Sequence, residues 1–252
     1  MVEFSFASLF TTAGLISLVT LVLMEIVLGI DNIIFIAIIT GYLPKKKEQS
    51  KARTVGLSLA LLIRIALLFC ITWLVGLTKP LLVINTPPNI PYFIAASGRD
   101  LILLAGGIFL IVKTWKEIYE KLKTDENAHH PKESRLSIMQ AIMQITFIDI
   151  IFSFDSILTA VALSRQIVIM VTAVTLSMFV MLFFAKYVSD FINKYPTIKM
   201  LALTFLLVIG FLLLLDGCHI HIDKNYAYTA VGFSLIVELL NIRLRKVKHQ
   251  GY

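Results

Sequence analysis

Between Thr12 and Thr40 the chain runs for 29 residues with only two charges, Glu25 and Asp31. At about 1.5 Å per helical residue, such a run is longer than the roughly 30 Å hydrocarbon layer of a bilayer. Lipid offers no partner for backbone N–H and C=O groups, so a run of this kind spans as a helix. Further apolar runs predict helices over Thr54–Thr78, Asp100–Tyr119, Ile138–Ser164, Val168–Val188, Ile198–Asp216 and Tyr226–Ile242. Hydrophobic residues make up 58% of the 252 positions and mean hydropathy is +0.86, well above the roughly 45–50% apolar content of soluble domains. The expected fold is all-α, a polytopic transmembrane helical bundle of about seven spans.

The distribution of basic residues predicts an orientation, because cytoplasmic loops are enriched in Lys and Arg. With the N-terminus outside, 18 of the 23 Lys and Arg fall in cytoplasmic segments, four (Lys79, Arg99, Arg165, Lys224) lie outside, and Arg64 stands mid-span. The bases sit in short loops between apolar runs, so the net charge of +7 implies contact with anionic lipid rather than nucleic acid. Cys70 and Cys218 form neither a disulfide framework nor a CxxC pair, which argues against redox chemistry. The N-terminus has no basic n-region, so the first run is expected to be a retained span rather than a cleaved signal peptide.

Within this apolar frame one pattern occurs twice. Glu25 and Asp31 lie six residues apart with Gly29 between them and Asn32 after; Asp149 and Asp155 lie six apart with Ser153 between them and Ser156 after. Three spans precede the second pattern, so the two copies cross in opposite directions. That predicts an inverted repeat of three plus three helices with one extra C-terminal helix. Residues 1–119 form the first half and 120–137 a charged linker; residues 138–252 hold the second half, the seventh helix and a basic tail.

Carboxylates inside a membrane span cost several kcal/mol each and usually mark function. Glu25, Asp31, Asp149 and Asp155, with the side-chain oxygens of Asn32 and Ser156, make an all-oxygen set. Such a set suits Mn²⁺, Ca²⁺ or Mg²⁺ as a transported ion, with no resident cofactor. On a straight helix, residues six apart diverge by about 120°, so breaks at Gly29 and Ser153 are expected to turn both acids toward one cavity. Arg64 is the mid-span base available to balance charge, and Asp100 and Glu238 are further candidates for charge balance or gating. Asp100 also stands at a helix start, where it would favour the dipole, and Glu238 would equally serve as a structural partner. His129-His130 on the linker make a poor chelate. Asp216, Cys218, His219, His221 and Asp223 cluster after helix six, where turn chemistry and metal capture are both open.

These residues resemble the TerC family, on Met24 to Asn32, Phe147 to Ile157, Gly98 to Leu103, and Val237 to Asn241. This family of integral membrane proteins is named from tellurium resistance and placed near the LysE-type exporters, and the likeness runs nearly end to end. It implies metal-ion export, chiefly of Mn²⁺, with Glu25, Asp31, Asn32, Asp149, Asp155 and Ser156 as the ligands. The chain looks like the short membrane-only form. Tellurite is an anion and does not suit an oxygen cage.

The reading is an inner-membrane exporter of a divalent cation, most readily Mn²⁺, working by alternating access coupled to protons, and not an enzyme. A non-transporting membrane partner in metal loading, tellurium resistance or envelope stress is the alternative. A LysE-like carrier of cationic organic solutes also fits carboxylates, whereas an intramembrane aspartyl protease would need a Gly-x-Gly-Asp motif that does not occur. Lipid and the metal ion are the expected partners; a homo-oligomer or other membrane proteins stay open. A reporter fused after Tyr252 should read cytoplasmic and one inserted in the 217–225 loop should read external. Both on one side would remove the seven-span reading.

Overall fold

The computed structural model describes residues 7–70, 78, 80–84, 94–124, 136–164 and 166–250. The His129-His130 pair lies outside the described residues. After a short 3-10 turn (Ala7–Phe10) come α1 (Thr12–Leu28), α2 (Ile30–Thr40) and α3 (Lys46–Phe69). An antiparallel ribbon of β1 (Pro80–Ile84) and β2 (Ile94–Ser97) follows, then α4 (Gly98–Thr124) and α5 (Ile138–Leu163). The chain ends with α6 (Ile167–Lys194), α7 (Pro196–Gly217) and α8 (Asn225–Gln250). The ribbon, bulged between Pro80 and Leu82, is the one sheet among the described residues.

Counting α1 and α2 as one, six helices are long and apolar enough to cross a membrane. The remaining helix, α4, is 27 residues long and is interrupted by Arg99, Asp100 and Lys113. It nevertheless packs along α7 in the most extensive helix pair of the structure. The fold is a helical membrane bundle with six to seven spans.

Several helices are longer than the apolar runs. The second begins at Lys46 rather than Thr54, and α6 runs to Lys194 rather than Val188. Hydropathy marks the lipid layer, whereas a helix continues into water wherever its polar turns are supported. At the start of α3, Lys45 and Glu48 pair at 3.4 Å and the Gln49 amide donates to the Leu43 carbonyl at 2.8 Å. Caps set the other ends. Thr11 accepts from the Gly14 N–H at 3.0 Å, Ser137 and Gln140 form a capping box on α5, and Pro196 opens α7.

The pairings come in mates. The α1–α2 span lies on α6, as α5 lies on α3; α2 also meets α7, as α5 meets α4; and α4 with α7, like α3 with α6, pair with one another. In lipid no hydrophobic force drives helices together, so close approach through small residues does much of the work. A Cβ on Gly107 would lie 2.9 Å from the Gly210 carbonyl oxygen, and one on Gly56 2.9 Å from Ile145 Cγ2. An ion pair also ties the α4–α7 seam. At one end, near the ribbon, Arg99 pairs with Asp216 at 2.8 Å. Away from the ribbon, Lys113 pairs within α4 with the buried Glu117 at 3.2 Å, and Lys199 of α7 lies 4.6 Å above the ring of Tyr42, just after α2. Burial, with Glu117 and Glu120 nearby, pushes the Tyr42 phenol well up, so it stays neutral.

Gly107→Val should lower the unfolding midpoint in detergent by the equivalent of about 1–3 kcal/mol, because backbone blocks the added methyls. Gly232→Ala, with open space around it, should leave the midpoint unchanged or raise it. Equal midpoints for Gly107→Val and the parent would remove this backbone contact as a determinant of packing.

Candidate ion site

Helices α1, α3 and α5 each carry one buried ionisable group to a common point. Arg64 of α3 is 2% exposed, and Glu25 of α1 and Asp149 of α5 are 3% exposed. The guanidinium donates from Nη2 to Asp149 Oδ1 at 2.8 Å, from Nε to Asp149 Oδ2 at 3.1 Å, and from Nη1 to Glu25 Oε2 at 2.8 Å. A planar fork of fixed donors is what allows one base to grip two acids on different helices. Asp149 accepts twice more, from Asn32 Nδ2 at 2.9 Å and from Ser153 Oγ at 3.0 Å. The Ser153 contact follows from helical spacing, four residues on from the acid it serves. Ser156 sits against the Glu25 carboxylate and donates to the Ser153 carbonyl at 3.3 Å. Asp149 is saturated.

Asp31 is handled differently. Its Oδ2 accepts from the Tyr228 hydroxyl of α8 at 3.1 Å. Its Oδ1, and the Oδ1 of neighbouring Asn32, are buried with no hydrogen-bond partner among the described residues. Buried polar atoms are nearly always paired, so two orphaned oxygens on adjacent residues are an anomaly that invites a ligand.

The expected helix breaks are corrected in part. The helix is interrupted at Gly29, yet Gly29 keeps right-handed angles (φ −85°, ψ −6°), its N–H still reaches the Glu25 carbonyl at 2.8 Å, and Ile33 N–H reaches the Gly29 carbonyl at 3.1 Å. The divergence of Glu25 and Asp31 therefore survives: one turns to Arg64 and the other to Tyr228. A Cβ at this position would crowd the flexible Met181 side chain of α6 and lie 2.9 Å from the Glu25 carbonyl oxygen. Helix α5 shows no matching break; it is continuous through Ser153, whose hydroxyl is spent on Asp149.

Of the residues singled out from the sequence, the structure gathers Glu25, Asn32, Asp149, Ser156 and Arg64, and sets Asp31 against α8. Asp155 lies on α5, but its side chain is outside the described residues. Among the described residues, no three His, Cys, Asp or Glu side chains converge as a metal-holding group. Asp100 is a cap rather than part of this cluster. Its carboxylate accepts from Ser97 N–H at 2.7 Å while Ser97 Oγ accepts from Asp100 N–H at 3.2 Å. Glu238 faces Asn241, 3.4 Å away, and Thr197 at the start of α7. The post-helix-six cluster divides: His219 pairs with Asp100 at 3.3 Å and His221 with Asp216. Tyr228 and Ser153 were not read as partners of the acids in the sequence. Ser153 was legible from its spacing; Tyr228, 197 residues from Asp31, was not.

Residues 10–251 match a family described as integral membrane protein TerC. The chain belongs to the TerC family. A UPF0053 protein of Haemophilus influenzae is 45% identical over 232 residues, covering 92% of this chain and 94% of that protein. The UPF0053 inner membrane protein YgdQ of Escherichia coli is 45% identical over 227 residues, covering 90% and 92% respectively. Similarity to the inner membrane protein YoaE of the same species is 44% over 237 residues, or 93% of this chain but 44% of YoaE. No solved structure matches. The TerC resemblance noted from the motifs thus holds over nearly the whole chain.

Arg64→Leu strands two buried carboxylates and should cost about 3–5 kcal/mol, read as the shift of thermal unfolding in detergent. Adding Glu25→Gln and Asp149→Asn to Arg64→Leu should restore a large part of that loss. If the triple variant is no more stable than Arg64→Leu, the fork is not what holds these helices.

Proposed function

We propose that this TerC-family protein is a divalent-cation transporter of the inner membrane that exports Mn²⁺. The observation that carries the reading is the pair of buried oxygens without a hydrogen-bond partner among the described residues, Asp31 Oδ1 and Asn32 Oδ1, beside an acid pair whose charge Arg64 half balances. Hard cations of this kind take carboxylate and amide oxygens as ligands. The formal charges agree: the three carboxylates of Glu25, Asp31 and Asp149, set against the one Arg64 guanidinium, would leave two negative charges for one divalent ion. Asp155 would add one more, taken up by a proton.

Protons are the natural counter-ion, since carboxylates that lose a cation in a low-dielectric interior favour protonation. Alternating access is supported by the mated helix pairings, which are those expected if α1–α2 exchanges with α5, α3 with α6 and α4 with α7 about an in-plane two-fold. The 18-to-4 distribution of bases supports an external N-terminus and a cytoplasmic C-terminus. Relatives named as inner membrane proteins support the location. The Arg64 fork alone would equally serve a protein that only locks helices together; the two orphaned oxygens favour transport.

In proteoliposomes loaded with Mn²⁺, the intact protein should support Mn²⁺ flux that responds to an imposed proton gradient. Asp31→Asn keeps the side-chain volume but removes the charge, and should abolish that flux while the protein still elutes as a folded species. Wild-type flux in Asp31→Asn would leave the acids as helix glue and favour the non-transporting partner.

A further inference from the structure

We propose that Tyr228 is a positioning residue for the ion site, and that α8 is the movable wall of a polar vestibule leading to Asp31. The inference rests on the transport reading above. The register of α8 against α7 is the starting point. The Phe205 and Tyr228 rings lie 5.9 Å apart, and further along Glu238 reaches Thr197, so the helices run antiparallel. Phe205 is the tenth residue of α7, which ends at Gly217; Tyr228 is only the fourth of α8. At 1.5 Å per residue, α7 extends about 18 Å beyond the contact and α8 only about 5 Å, so α8 starts about 13 Å below the end of α7.

Residues 218–224 cover that step without helix, which leaves Asp223 and Lys224 at a depth reached by the apolar part of α7. Irregular, charged backbone is tolerated at such depth only where it lines a water-filled space or is buried in protein. Asp223 is exposed and Lys224 half-buried, and Lys224 lies close enough to act on the Asp31 charge. The segment is therefore the rim of a vestibule, and Tyr228 is its floor, with its hydroxyl on Asp31 Oδ2. An ion passing between this mouth and the orphaned oxygens must displace that ring.

The wall is built to move. Only 6% of the most apolar stretch of α8 is buried, against 65% for α5, and among the described helices α8 packs chiefly on α7. Local mobility concentrates where few buried contacts hold an element. In the position described, the Tyr228 hydroxyl fixes the orientation of the carboxylate and leaves its Oδ1 without a hydrogen-bond partner among the described residues.

Tyr228→Phe deletes the hydroxyl and keeps the ring on Phe205. In proteoliposomes its KM for Mn²⁺ should rise about tenfold, the worth of a hydrogen bond to a charged group, with a smaller change in maximal rate. A second measurement reads the wall. With Cys70 and Cys218, both free and exposed, replaced by Ser, a cysteine introduced by Ala227→Cys sits at a buried position beside Tyr228. Its labelling by a membrane-impermeant maleimide should change several-fold when Mn²⁺ is added, and this response should vanish with Asp31→Asn. Either a wild-type KM in Tyr228→Phe or Mn²⁺-insensitive labelling overturns the proposal. Because Asp31→Asn tests the transport reading by itself, loss of flux there with an unaltered Tyr228→Phe would sink the gate and leave the transporter.

Discussion

A guanidinium with 2% of its side chain exposed is tolerated in a membrane interior only when its charge and its donors are matched. Arg64 meets that condition by taking one carboxylate from α1 and one from α5. Both desolvation and attraction are large in such a medium, so net stability depends on geometry and on saturating the remaining lone pairs. Asn32 and Ser153 complete that saturation at Asp149. The consequence is positional more than energetic: α1, α2, α3 and α5 are brought to one level. Around the fork the surfaces are apolar and hold by fit, through contacts such as Gly56 on Ile145 and Gly107 on Gly210.

The fork also divides labour among the acids. Glu25 and Asp149 are spent on holding Arg64, whereas Asp31 has one hydroxyl partner and one bare oxygen. A rigid part and a responsive part thus stand side by side. The rigid part lies where helix packing is dense, and the responsive part faces α8, the least buried span. A transported ion must bind strongly enough to enter and weakly enough to leave, and an acid with a single removable partner suits that requirement better than a saturated one. The Arg99–Asp216 pair holds α4 to α7 near the ribbon.

Much of this was legible in the residues and some was not. The spans were readable because hydropathy is a local property and lipid tolerates few structures. Helix ends were not, because α3 and α6 continue past the apolar run on polar turns. Asp100 as a cap was readable from Ser97 three residues earlier. Gly29 was read as a hinge for the backbone, and instead keeps right-handed angles and packs against Met181, a residue far along the chain that no local pattern connects to it. Ser153 was read as a second hinge, and proved to be a hydroxyl donor within an unbroken helix.

By itself the sequence determined the class of environment, the approximate number of crossings, and which acids lie within the apolar spans, with Arg64 as a base among them. Those properties depend on composition and on the rise of a helix, which neighbours do not alter. Only the tertiary structure decided that Arg64 grips Glu25 and Asp149 but leaves Asp31 to Tyr228, and that one oxygen on each of two consecutive residues has no hydrogen-bond partner among the described residues. Which way a side chain faces along a helix is periodic and readable, but what it meets there depends on the rotation, register and depth of helices remote in sequence. Packing settles those relations for the whole bundle at once, and it placed the start of α8 deep enough for its fourth residue to reach Asp31.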